Sequence, residues 1–194
     1  MPIRLSPTFV LVVINMAVYV YTSLLGNNFV YTSSGVLTVY GQYNYAVLHG
    51  GWWWQLFTAM FVHVNIVHVF SNMFFLLIFG LRAEELFTDT EYYLVYIASG
   101  LLGNFLSLLY PLNVRSAGAS GAIFGLFGAV IIYLRKMVER SVLGAVLFAF
   151  MFFLITLSVD TNVYAHLGGL VAGLILGYWL AKARKLQFTY KLSY

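Results

Sequence analysis

Ser120 stands in Gly118-Ala119-Ser120-Gly121-Ala122-Ile123-Phe124-Gly125, at the head of a charge-free run from 116 to 134. His166 stands in Ala165-His166-Leu167-Gly168-Gly169, within a second such run from 161 to 181. A serine hydroxyl is a weak nucleophile until a neighbouring base takes its proton, and an imidazole is the usual base for that work. Alone in a glycine-rich apolar helix, the serine reads as packing, and a lone intramembrane histidine reads as a structural or transport residue as readily as a catalytic one. Together they read as more, because Ser120 is five residues past Arg115 and His166 six past Asp160. At about 1.5 Å per helical residue, both lie on the order of 8 Å below the same boundary of a bilayer. The chemistry this predicts is acyl transfer to a serine within the membrane.

Acyl transfer needs donors for the oxyanion. The amides at a helix start are unpaired and sit at the positive end of the dipole, which makes the Ser120 and Gly121 N–H groups suitable. His68 and Asn72 are four apart on one helix face and reach the same layer, so they are candidate side-chain donors. Gly118 and Gly121 flank the serine and permit a peptide backbone to approach. The only acid on that side is Asp160, too far up the chain to orient the histidine, so a Ser120–His166 dyad is expected. Phe124, one turn below Ser120, is the candidate ring to hold the imidazole. His63, five before His68, does not stack with it along that face, and the two make a poor metal pair. With no cysteine in the chain, thiol nucleophiles, disulfides and thiolate metal sites are excluded.

The elements that must position these groups follow from composition. The chain has 194 residues, 62% hydrophobic and 8% charged, with a mean hydropathy of +0.88. This is an integral membrane protein. A span needs about 20 apolar residues for a hydrocarbon core of roughly 30 Å. Six spans are predicted, at 8–25, 64–81, 92–111, 118–135, 142–159 and 163–182, making one all-α membrane domain over 1–194. The first is long for a signal peptide and reads as a retained anchor. Alternating the spans puts Arg4, Arg82, Arg135, Lys136, Arg140, Lys182, Arg184, Lys185 and Lys191 on one side and Arg115 on the other. By the positive-inside rule both termini are cytoplasmic and the site opens to the extracytoplasmic side. The pI near 9.3 records that topology and calls for no nucleic-acid partner.

Between spans 1 and 2 lies a long extracytoplasmic connection, rich in tyrosine and carrying Trp52-Trp53-Trp54, side chains that favour the water–lipid interface. Asn104 and the serines of span 3 are expected to bond between helices. Arg82-Ala83-Glu84-Glu85 reads as a structural network at the cytoplasmic end. Gly121, Gly125 and Gly128 form one stripe on span 4, and Gly169, Gly173 and Gly177 another on span 6, which lets the two backbones approach closely.

The motifs resemble those of the rhomboid family of intramembrane serine proteases, in its minimal six-helix form and across essentially the whole chain. The matching pieces are Trp54 with Thr58, His63-x4-His68-x3-Asn72, Gly118-x-Ser120-Gly121, and Ala165-His166-x2-Gly169-x3-Gly173. The resemblance implies Ser120 as nucleophile, His166 as general base and acid, and His68, Asn72 and the Ser120 amide as oxyanion hole, with Phe124 packed on the imidazole. It implies single-span membrane proteins as substrates, placement in the cell membrane, and no metal or cofactor, and sets no oligomeric state. One departure is Gln55, which follows Trp54 where the family commonly has arginine.

The rival within the family is a catalytically silent protein that binds or escorts membrane clients; retention of Ser120, His166, His68 and Asn72 disfavours it. A transporter or channel would carry ionisable residues near the midplane or broken helices in related halves. A metalloprotease would carry a His-Glu-x-x-His helix, and an aspartyl protease two buried aspartates. None of these patterns is in the sequence.

Overall fold

The computed structural model describes residues 5–155 and 161–192, with side chains to 154 and from 161 to 184. Asp160 and the end of the fifth predicted span lie outside the described residues. The elements in chain order are α1 (Pro7–Leu25), α2 (Ser34–Tyr40), β1 (Gln42–Tyr43), α3 (Asn44–Gly50), α4 (Gln55–Thr58), α5 (Ile66–Glu84), α6 (Asp89–Ser107), β2 (Arg115–Ser116), α7 (Ser120–Met137), α8 (Val142–Ile155) and α9 (Val163–Leu192). Among the described residues the regular structure is helical apart from the β1–β2 pair and an isolated bridge between Tyr31 and Asn65.

Among the described residues, four helices are long and apolar enough to cross a membrane: Pro7–Leu25, Ile66–Glu84, Ser120–Met137 and Val163–Arg184. Helix α6 has the length but not the apolarity, because Tyr92, Tyr96, Ser99, Asn104 and Ser107 sit among its buried residues. Helix α8 is a shorter apolar helix over its described residues. Large apolar side chains such as Phe70 and Phe74 on α5, Leu147 and Met151 on α8, and Ile175 and Trp179 on α9 face outward, as lipid-facing surfaces require.

Local chemistry sets the helix starts. Ser6 accepts from the Phe9 N–H, with Pro7 in the first turn, so α1 begins there. Thr88 and Glu91 form a capping box that starts α6. The acidic cluster is indeed a network: Glu84 accepts from Ser6 Oγ at 2.6 Å and from the Thr8 N–H at 2.7 Å, fastening α1 to the end of α5. Arg82 pairs with Glu85, and Arg184 with Glu91 at 3.0 Å. All of this lies at the end of the bundle opposite Ser120.

Helix α7 is the buried centre, enclosed from Gly121 through Val130 and again at Ile132 and Tyr133. Its main neighbours are α9, α6 and α5. The two glycine stripes meet as predicted. A Cβ added at Gly169 would collide with the Gly121 carbonyl oxygen, one at Gly173 with that of Gly125, and one at Gly177 with that of Ala129. Backbone oxygens cannot swing aside, so Gly173→Ala must part the helices. We expect a loss of about 3 kcal/mol, at the upper end of the usual overpacking cost, read as a lowered thermal midpoint in detergent; an unshifted midpoint would refute this packing.

The connection 26–65 is built rather than loose. β1 pairs antiparallel with β2, Gln42 opposite Ser116 and Tyr43 opposite Arg115, which ties this connection to the approach to α7. Gln42, Asn44 and Gln55 are fully buried within it. Trp52, Trp53 and Trp54 project outward. Asn104 bonds between helices, as expected: it donates to the Leu56 carbonyl of α4 at 2.8 Å and so anchors the connection to α6.

Candidate active site

The run-up to α7 aims Ser120. Gly118 has φ +135°, a backbone region that side chains rarely enter. Its N–H donates to the Ala59 carbonyl at 2.9 Å, so the turn is held from the long connection. The chain then enters α7 through Ala119, and Ser120 becomes the first helical residue. By helical period Ser120 is about 100° off the glycine stripe. The start of the helix nonetheless brings its hydroxyl to α9.

There His166 Nε2 lies 2.7 Å from Ser120 Oγ. The imidazole packs on Phe124, ring centroids 4.6 Å apart and planes 30° from parallel. Its Nδ1 is buried and has no hydrogen-bond partner among the described residues. Close approach of the backbones makes the Ser–His distance attainable: a Cβ on Gly121 would lie 3.0 Å from the Ala165 carbonyl oxygen.

His68 lies on the other side of Gly118. A Cβ at that glycine would lie 2.7 Å from His68 Cε1, 2.9 Å from its Nε2 and 3.8 Å from Ser120 Oγ. Asn65 caps α5 by accepting from the His68 N–H at 2.7 Å, and Asn72 Nδ2 donates to the His68 carbonyl at 2.8 Å. One amide hydrogen of Asn72 is thereby committed, and the second is free to serve a ligand. Ser120, His166, His68, Asn72 and Phe124 all line one cavity of about 650 Å³, whose wall includes Phe75, Phe79, Phe127 and Phe152. The arrangement offers a nucleophile, a base and donors in a largely apolar cleft, the combination acyl transfer needs.

His63 does not stack on His68, as expected; α5 begins only at Ile66, so His63 lies in the segment just before it. The rings meet edge to face at 5.2 Å, with His63 fully buried and its Nδ1 3.3 Å from the Phe61 carbonyl oxygen.

Two contributors went unread in the sequence. Gln55 Oε1 accepts from the Tyr43 N–H at 2.9 Å, and its Nε2 donates to the carbonyls of Thr38 at 2.8 Å and Val39 at 3.0 Å. The residue that departs from the arginine pattern is thus the hub of the connection. Gln55→Leu strands three backbone groups and should cost about 2–4 kcal/mol, since each buried unmet group costs about 1–3 kcal/mol with partial relief from relaxation. Thermal melts of the purified variant check this, and an unchanged midpoint would count against it. The second is Asn162, at the start of α9, whose Oδ1 accepts from the Ala165 N–H at 2.9 Å. An asparagine just ahead of an apolar helical run is a readable N-cap signal.

Residues 50–183 match the family model described as Rhomboid domain. The chain is 34% identical over 169 residues to RHOMBOID-like protein 6, mitochondrial, of Arabidopsis thaliana, covering 82% of this chain and 54% of that protein. It is 30% identical to Putative rhomboid protease YdcA of Bacillus subtilis (strain 168), covering 75% and 76%, and 30% identical to Rhomboid protease GluP of the same bacterium, covering 87% and 34%. The chain belongs to the rhomboid family, and named proteases are among its relatives. It spans about half the length of the Arabidopsis relative and about a third of GluP.

Proposed function

We propose that this chain is an intramembrane serine endopeptidase that hydrolyses peptide bonds in or near the transmembrane segments of single-span membrane proteins. The observation that carries this is the 2.7 Å approach of His166 Nε2 to Ser120 Oγ at the wall of the cavity. In this reading residues 1–194 form one six-span domain in the cell membrane, with cytoplasmic termini and an extracytoplasmic opening to the site.

Ser120 Oγ attacks the scissile carbonyl carbon as its proton passes to His166 Nε2. For that, the resting imidazole carries its hydrogen on Nδ1 and leaves Nε2 as acceptor. The oxyanion is met by the Ser120 amide, which has no acceptor within its own helix, by Asn72 Nδ2 and by His68 Nε2. Phe124 supports the imidazolium through its ring face. The imidazolium protonates the leaving amine nitrogen, and the acyl-enzyme remains. Water then attacks, giving a proton to His166, and Ser120 leaves with that proton as the carboxyl product forms. Asn72→Ala should lower kcat on the order of 10²-fold, about 3 kcal/mol for one oxyanion donor; unaltered turnover would remove Asn72 from the hole.

The test is to incubate detergent-purified protein with a fluorophosphonate probe and find the labelled residue by mass spectrometry. Labelling at Ser120 that disappears in His166→Ala supports an activated serine. Folded protein that takes no label, and cleaves no single-span substrate, would shift the reading to a client-binding family member.

A further inference from the structure

We propose that Asn162 is a positioning residue for the dyad, one that fixes the Ser120–His166 distance by bolting the approach to α7 onto the first turn of α9. The inference rests on the protease reading above. Asn162 lies four residues before His166, and its partner Ser116 lies four residues before Ser120. Asn162 Nδ2 donates to Ser116 Oγ at 2.8 Å, and its Oδ1 accepts from Ser107 Oγ at 3.1 Å and from the Ala165 N–H at 2.9 Å. Its backbone carbonyl accepts from the His166 N–H itself at 3.1 Å. One side chain therefore joins the end of α6, the strand β2 ahead of the nucleophile, and the helix that carries the base.

The need for such a bolt follows from what His166 lacks. In a triad, a third side chain holds the imidazole through Nδ1. Here that atom has no hydrogen-bond partner among the described residues, and Phe124 restrains the ring's plane without fixing its distance from Ser120. The geometry must come from the backbones on which the two residues ride. Ser116 is held in turn by the β1–β2 pair and is itself buried, so the bolt is set in a rigid frame. A misplacement of about 1 Å between reacting groups can cost on the order of 10²-fold in rate.

The alternative is that Asn162 only caps α9, and Asn162→Thr separates the two roles. Threonine keeps a hydroxyl to accept from the Ala165 N–H but is too short to span to Ser116. The experiment measures the second-order rate of Ser120 phosphonylation by a fluorophosphonate, alongside the thermal midpoint, in the full chain. Asn162→Thr and Ser116→Ala should each slow labelling about tenfold. The double variant should be no slower than either single, and Asn162→Thr should lower the midpoint no more than Thr88→Ala does. Thr88→Ala, which removes a cap at the far end of the bundle, should lower the midpoint without slowing labelling.

Wild-type labelling rates in Asn162→Thr would overturn the bolt and leave a simple cap. Effects of the two singles that multiply in the double variant would also overturn it, since the residues would then act separately. If instead the wild-type chain were labelled no faster than Ser120→Ala, the protease reading itself would fall, and this one with it.

Discussion

Ser120→Ala should yield a folded membrane protein whose cleavage of a single-span substrate falls on the order of 10⁴–10⁶-fold, to background. The size follows from the role. In the proposed mechanism the hydroxyl oxygen forms the covalent bond, and removing a nucleophile leaves only whatever the oxyanion donors and binding can still achieve. The fold should be spared. Ser120 does not cap its own helix, and its Oγ is bonded to His166 Nε2 at the cavity wall, where water can take the vacated place. The thermal midpoint should therefore stay near wild type while turnover and phosphonylation vanish together. His166→Ala should match it closely, because residues acting as one unit give losses that do not add. Full cleavage by a folded Ser120→Ala protein would end the nucleophile assignment, whatever became of the family membership.

The parts of this site that were legible in the sequence are those that a helix carries in phase. Depth along two parallel helices brought Ser120 and His166 to one layer, and the one-turn spacing put Phe124 under the serine and on the imidazole. The glycine stripes of α7 and α9 were readable for the same reason: period 3.6 and small residues foretell a close crossing. What escaped was set by local chemistry or by partners distant in sequence. The capping box at Thr88 and Glu91 moves the start of α6 ahead of the predicted 92, and Asn65 moves that of α5 past the predicted 64. Hydrophobic runs blur such boundaries, whereas caps mark them. Gln55 bonds to Tyr43, Thr38 and Val39 across 12 to 17 residues that pass through the end of α2, β1 and α3. No periodicity carries that information. Asn162 and Ser116 meet across 46 residues, visible only once two helices are packed.

Gly118→Ala should lower activity on the order of 10²–10³-fold while the bundle still assembles. Two costs coincide at that position. A φ of +135° is nearly closed to residues with a side chain and costs on the order of 1–3 kcal/mol where it is enforced. Relaxing φ would swing the Gly118 N–H off the Ala59 carbonyl, 2.9 Å away, and carry Ser120 with it, since only Ala119 lies between. If the backbone holds instead, the new methyl sits 2.7 Å from His68 Cε1 and 2.9 Å from Nε2, so the imidazole must turn away from the space beside Ser120 Oγ. Under the proposed mechanism either route spoils acyl transfer: one moves the proposed nucleophile, the other removes a proposed oxyanion donor. The two are separable. A displaced serine slows phosphonylation as well as turnover and raises the reactivity threshold for every acyl donor. A displaced His68 is matched by His68→Ala, so that the double variant is no worse than Gly118→Ala alone. A Gly118→Ala protein that keeps wild-type kcat would show that neither the turn nor the His68 ring is held as tightly as these distances require.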